Sequence, residues 1–356
     1  MIPIYKPWIT DLEKKYVQNA IESGWISSIG PYLEKFEDLF AKRIGVKYAI
    51  ATNTGTAACH LALASMNFKP GDEIIIPAIT FIATANAVKY CNCEVLLADI
   101  DPKTWNIDPH LLKSLIGPRT VAVFTVHLYG NPCNMNVLEQ ICKHNNLVLI
   151  EDACEALDGS FNGKQTGSFG KTAAFSFYGN KTITTGEGGM FVTNEREFYD
   201  RAKILKGQGQ TDRYYHPVIG YNYRMTNIQA AIGLAQLERL DQIQKEKKRI
   251  FEEYKNRLSG KVGWPQQIEN ATHSYWSVTI RVPNPINIIN RLKKEDVDAR
   301  RVFYPISCLP PYKNAKGSFK EAELLFSEGI SLPSYAELTN TEVNRICDII
   351  LGDLNG

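Results

Sequence analysis

One lysine, Lys181, stands in FSFYGNKTITTGEGG (175–189), between Gly179 and the cluster Gly186-Glu187-Gly188-Gly189, with hydroxyls at Ser176, Thr182, Thr184 and Thr185. A lysine amine forms a Schiff base with an aldehyde, and glycines let a ligand and the backbone come close. Thr54-Gly55-Thr56 opens a helical pattern. Free N–H groups, the helix dipole and a hydroxyl make a phosphate cradle there, although the triplet also reads as an ordinary N-cap. It is neither a P-loop nor G-x-G-x-x-G. Glu151, Asp152 and Glu155 follow a buried apolar run, where a carboxylate either faces a cofactor or caps a turn. Phe81, after the turn Pro77-Ala78-Ile79-Thr80, offers a stacking face for a flat ring or a core side chain. A phosphate cradle, a carboxylate for a ring nitrogen, a stacking aromatic and a reactive amine together are what pyridoxal phosphate (PLP) requires.

These groups need a scaffold that places them at loop ends. Apolar runs at 46–52, 72–77, 93–100, 120–126 and 146–152 read as buried strands, with two more at 173–177 and 190–194. Helical patterns fall at 55–66, 81–90, 109–115 and 134–145. Strands alternating with helices predict an α/β fold with a mostly parallel sheet between helix layers. Ligands of such sheets bind beyond the carboxyl ends of the strands, where the candidate groups stand. A long helical pattern at 226–258 leads away from this unit. Its KEKKR run (245–249) reads as a solvated face. A strand at 273–282 and helices at 286–296 and 339–351 follow, the last capped by Thr339 or Asn340. The expected division is a large domain over 1–240, with a helical N-terminal segment, and a smaller α+β domain over 241–356.

Composition narrows the partners. A formal charge of +2 over 356 residues gives no basic field for nucleic acid. No apolar stretch approaches the roughly 18 residues of a membrane span, and MIPIYKPWITD lacks a signal core. The cysteines, Cys59, Cys91, Cys93, Cys133, Cys142, Cys154, Cys308 and Cys347, are scattered without metal-ligand spacing. They read as buried free thiols of a cytoplasmic protein, with no metal expected.

The chain resembles the nucleotide-sugar aminotransferases of the DegT/DnrJ/EryC1/StrS family, which are fold type I PLP enzymes. The resemblance runs from IESGWISSIGPYLEKFE to SLPSY. It is carried by TNTGTAACHLAL, GDEIIIPAITFIATANAV, HLYGNP, EDACEALDGS, FSFYGNKTITTGEGGM and GYNYRMTNIQAAIGLAQLE. It implies that Lys181 holds the cofactor and moves the proton, and that Asp152 pairs with the pyridinium nitrogen. Glu155 then lies by the ring hydroxyl, where one of the two groups keeps a proton. Phe81 stacks on the ring, and Gly55, Thr56 and Ser176 bind the phosphate. Asn222 reaches the phosphate in the neighbouring subunit, which implies a homodimer with shared sites. The family's SGT triplet reads Thr54-Gly55-Thr56 here, which keeps the hydroxyl.

Within the family the likeness is strongest to the perosamine-forming branch, on Glu155, YGNKTITTGEGGM, HSYW and the FYP at 303–305. The implied reaction passes the amine of L-glutamate to the C4 ketone of GDP-4-keto-6-deoxymannose. A dTDP- or UDP-linked 4-keto-6-deoxyglucose is the alternative acceptor. Arg213 and His216, in the loop 208–220, stand either near the sugar nucleotide's diphosphate or on a plain surface connection. His127 reads as a ligand neighbour or a satisfied core histidine, and Arg224 as a structural residue. A dehydratase of the same fold carries histidine in place of Lys181. A non-catalytic PLP-binding regulator would tolerate loss of Lys181 or Asp152, and this chain has both.

Overall fold

The alternating apolar runs assemble into one seven-stranded sheet in the computed structural model, which describes residues 1–354. Its strands are β1 (Tyr48–Thr52), β2 (Glu73–Pro77), β3 (Glu94–Ala98), β4 (Thr120–Val126), β5 (Val148–Asp152), β8 (Thr172–Ser176) and β9 (Gly189–Thr193). Their order is β1-β9-β8-β5-β4-β2-β3. All neighbours pair in parallel except at β9, which runs antiparallel to both β1 and β8. Side chains alternate between two buried faces. Ile74, Ile76, Phe124, Ile150 and Phe191 enter one core, and Ile75, Val123, Leu149, Phe175 and Val192 enter cores on the other side. A sheet covered on both faces explains why its strands read as nearly continuous apolar runs.

Register brings the candidate groups to one edge. Gly189 pairs with both Thr52 and Ser176, so the carboxyl ends of β1 and β8 lie level. Asp152 is in register with Val126 and Ala174. The short strands β6 (Ser160–Phe161), β7 (Lys164–Gln165) and β10 (Ala271–Thr272) form a second small sheet.

A separate core is built from β11 (Val278–Arg281), β12 (Arg300–Arg301) and β13 (Gly329–Leu332) with helices Leu240–Leu258, Pro285–Lys294 and Asn340–Leu354. Ile2 from the N-terminus joins it. Thr339 caps the last helix, with Glu342 bonding back to the Thr339 N–H at 2.9 Å.

Four sequence expectations change. The pattern at 226–258 is two helices, Asn227–Glu238 and Leu240–Leu258, broken at Arg239. The Arg239 guanidinium is held by Glu13 at 2.7 Å and by the Trp8 carbonyl. The segment 273–282 is strand only from Val278, because Tyr275 takes a left-handed φ of 56° and turns the chain. KEKKR is not wholly solvated: Lys247 lies on the same helix face as Ile243 and Ile250, is buried, and donates to the Ser334 carbonyl at 2.5 Å. Helices Arg196–Lys206 and Lys320–Glu328 were not expected from the sequence. Among the described residues no helix is long and apolar enough to cross a membrane.

Candidate active site

Lys181 sits in a turn after β8 that its own neighbours fasten. The Lys181 N–H donates to the Tyr178 carbonyl, and Thr185 N–H and Thr184 hydroxyl both donate to the Phe177 carbonyl. Gly186 takes a φ of 82° at the bend. A Cβ on Gly188 would come within 2.1 Å of the Thr185 hydroxyl, and one on Gly189 within 2.4 Å of the Thr54 carbonyl. These glycines therefore serve close approach of chain to chain, and the threonines lock the turn. The Asn180 carbonyl accepts from the Trp276 indole N–H at 2.8 Å, which fixes the peptide before the lysine.

The Lys181 side chain is 13% exposed, and its amine lies 4.0 Å from the Trp276 ring centre and 3.8 Å from Glu155 Oε1. Glu155 accepts from the Tyr129 N–H at 2.8 Å through its other oxygen. Burial pushes the Glu155 carboxyl up to about 7, with Lys181 opposing the shift. Tyr129, Phe303 and Trp276 stack as one wall, with ring centres 5.2 and 6.3 Å from that of Tyr129. Asp152 ends β5, and its carboxylate accepts from the Thr84 hydroxyl at 2.7 Å and from the Cys154 N–H at 3.1 Å.

Glu151, one residue earlier, points to the opposite face. It accepts from the N–H groups of Gly167, Phe169 and Gly170 and pairs with His127 Nε2 at 3.0 Å. His127 Nδ1 accepts from the Cys133 N–H, so this histidine is a satisfied core group.

The phosphate-cradle reading and the N-cap reading of Thr54-Gly55-Thr56 are compatible. The Thr54 hydroxyl accepts from the Ala57 N–H at 3.0 Å and caps helix Gly55–Ala64. That leaves the first-turn N–H groups of Gly55 and Thr56 without a preceding helical carbonyl. Ser176 closes against them: a Cβ on Gly55 would lie 2.6 Å from the Ser176 Cβ.

Gly55, Thr56, Phe81, Asp152, Glu155, Ser176 and Lys181 all line one cavity of about 570 Å³. Phe81 is 53% exposed and faces the Phe303 ring at 5.8 Å. Asn222, Arg213 and His216 do not line this chain's cavity. Asn222 sits at the foot of the 208–220 loop, its carbonyl accepting from Asn53 Nδ2. Arg213 and His216 are exposed, and His216 Nδ1 lies 3.0 Å from the Gln208 carbonyl. Sequence reading passed over Trp276, Tyr129, Thr84, Arg300 and Arg301. HSYW carries part of the family likeness, but a strand expected over 273–282 hides the turn at Tyr275 that brings Trp276 to the cavity.

The donor set suits PLP. A helix N-terminus with an adjoining serine suits a phosphate, a buried carboxylate suits a ring nitrogen, and a lysine amine lines the same cavity over the Trp276 ring. The Gly55–Ser176 contact keeps the cradle clear of a side chain.

Comparison with known proteins agrees. A profile of the DegT/DnrJ/EryC1/StrS aminotransferase family matches residues 7–351. GDP-perosamine synthase of Caulobacter vibrioides is 42% identical, over 97% of this chain and 96% of that one. GDP-perosamine synthase of Escherichia coli O157:H7 is 43% identical, over 98% and 97%. The PLP form of the protein Spr1654 from Streptococcus pneumoniae superposes with a TM-score of 0.93 at 27% identity, covering 99% and 98% of the two chains. The chain belongs to the DegT/DnrJ/EryC1/StrS aminotransferase family and is a PLP-dependent sugar aminotransferase.

Proposed function

We propose that this enzyme moves the amine of L-glutamate to the C4 ketone of GDP-4-keto-6-deoxymannose, giving GDP-perosamine. The observation that carries the reading is the full-length identity of 42–43% to two GDP-perosamine synthases. PLP, when bound, supplies an aldehyde to hold the amine and a ring that draws electrons from the adjoining carbon.

The chain's residues do the rest. Gly55 and Thr56 N–H groups and the Ser176 hydroxyl hold the phosphate. Asp152, oriented by Thr84, keeps a proton on the ring nitrogen. Phe81 covers one ring face. The Lys181 amine would take the proton off the donor's α-carbon in the first half-reaction and would deliver a proton to the acceptor's C4 in the second, transfers that a positioned base makes efficient. Glu155, with its raised affinity for protons, shares one with the ring hydroxyl. Tyr129, Trp276 and Phe303 exclude water. Arg300 and Arg301 at the cavity edge give cationic partners for the donor's carboxylates or the sugar's diphosphate. In this reading the enzyme is a homodimer, and Asn222 completes the partner's phosphate site. Arg213 and His216 then stand on a loop beside the shared entrance.

The test offers the enzyme, with L-glutamate, a panel of GDP-, dTDP- and UDP-linked 4-keto-6-deoxyhexoses. Product mass and stereochemistry are then read. A 4-amino GDP-sugar of the manno series is expected. Turnover confined to a dTDP- or UDP-sugar would replace this substrate with the alternative acceptor. No amine transfer to any of them would refute a C4 transaminase.

A further inference from the structure

Two cysteines far apart in sequence meet at the floor of the cavity. Cys59 comes from the helix that follows β1, and Cys154 from the turn after β5. Their sulfurs are 3.8 Å apart. Two thiolates on a tetrahedral zinc, each at about 2.3 Å, stand about 3.8 Å from one another. The Asp152 carboxylate completes the group, and the three ligand atoms all lie within 4.8 Å of one another. All three side chains line the cavity, so an ion reaches them through the same mouth as the cofactor. The Thr84 hydroxyl already holds the carboxylate at 2.7 Å, as outer-shell groups do at metal centres. Two sulfurs and one oxygen favour zinc, cobalt or cadmium over magnesium or calcium.

We propose that, in the cofactor-free enzyme, Cys59, Cys154 and Asp152 bind one thiophilic divalent cation such as zinc, and that this ion and PLP exclude each other. On ligation each thiol releases its proton to solvent, and the fourth position stays open to water. The exclusion, unlike the site itself, rests on Asp152 serving the cofactor's ring nitrogen. Zinc then holds back the conversion of apoenzyme to holoenzyme by occupying that carboxylate.

The experiment titrates reduced apoenzyme with cobalt(II) and follows thiolate-to-cobalt charge-transfer absorption, then displaces it with zinc. One equivalent per chain is expected. Cys59→Ser and Cys154→Ser should each abolish the band, and Cys308→Ser, which alters an exposed thiol, should leave it intact. Thr84→Val should weaken cobalt binding about tenfold through the freed carboxylate. Circular dichroism of each variant separates lost ligation from lost folding, and Cys59→Ala and Cys154→Ala replace any serine variant that misfolds. Prior loading with PLP should suppress the band. Absence of the band in wild-type apoenzyme, or its survival in the double cysteine variant, overturns the site. A band that persists undiminished in PLP-loaded enzyme overturns the exclusion and removes Asp152 from the shared role.

Discussion

Lys181 should be the residue to which PLP becomes fixed. Borohydride reduction of the holoenzyme followed by peptide mapping is expected to place the cofactor on the 175–189 segment, and a label elsewhere would remove Lys181 from its role. Lys181→Ala should lower transamination by roughly 10²–10⁴-fold or more, since both proton transfer and cofactor anchoring go with it.

Glu155 gives a second, independent readout at this scale. Its carboxyl is raised to about 7 by burial, while an unfolded glutamate titrates near about 4.3. Between those values the folded chain keeps a proton that the unfolded chain has lost. This contribution to stability is therefore complete below the unfolded value and fades as pH rises through 7. Apoenzyme melting temperature should fall from pH 5 to pH 7.5 more steeply in wild type than in Glu155→Gln; parallel curves would show that Glu155 is not protonated in the fold. Residue types alone left Glu151 and Asp152 equivalent, and only the family resemblance singled out Asp152. The period of two along β5 separates them: Asp152 ends the strand on the cavity side, and Glu151 turns to three backbone N–H groups and His127.

At the scale of elements, the site depends on how tightly β1, β9 and β8 draw their ends together. Gly55 is one of the tight points, with room for no side chain beside Ser176. Gly55→Ala should push Ser176 aside at a cost of about 1–3 kcal/mol. The expected result is weaker PLP binding with the global fold retained, read by equilibrium dialysis and circular dichroism. Unchanged affinity would take the phosphate away from this cradle.

The parallel strands and their helices were legible because each is a short apolar run closed by polar or turn residues. The break at Arg239 and the bend at Tyr275 were not, because neither is a local preference. One is set by contacts with Glu13 and Trp8, more than two hundred residues away, and the other by a left-handed residue that is neither glycine nor asparagine. Trp276 was lost with that bend. The meeting of Cys59 and Cys154 was equally invisible, since only the sheet order brings their elements together.

For the whole molecule, the 208–220 loop is the feature that one chain leaves unexplained. Gly209 and Gly220 pinch its base, where a Cβ on either would lie 1.9 Å from backbone of the other strand. The loop displays Tyr214 and Ile219 at 80% and 92% exposure, and Tyr215 and Val218 are exposed as well. Apolar side chains held out by a rigid base favour a covering surface, and in the proposed homodimer that surface is the partner.

Asn222, at the loop's foot and outside its own chain's cavity, then acts across the interface. Complementation tests this directly. Lys181→Ala and Asn222→Ala each impair both sites of their own homodimers. In a mixed dimer with crossed sites, one cavity carries both defects while the other has its own Lys181 and an intact Asn222 from the partner. Random re-association of the two impaired variants should therefore recover about a quarter of wild-type activity. If Asn222 serves the cavity of its own chain, every site in the mixture keeps one defect, and the activity of the mixture stays at the average of its parents.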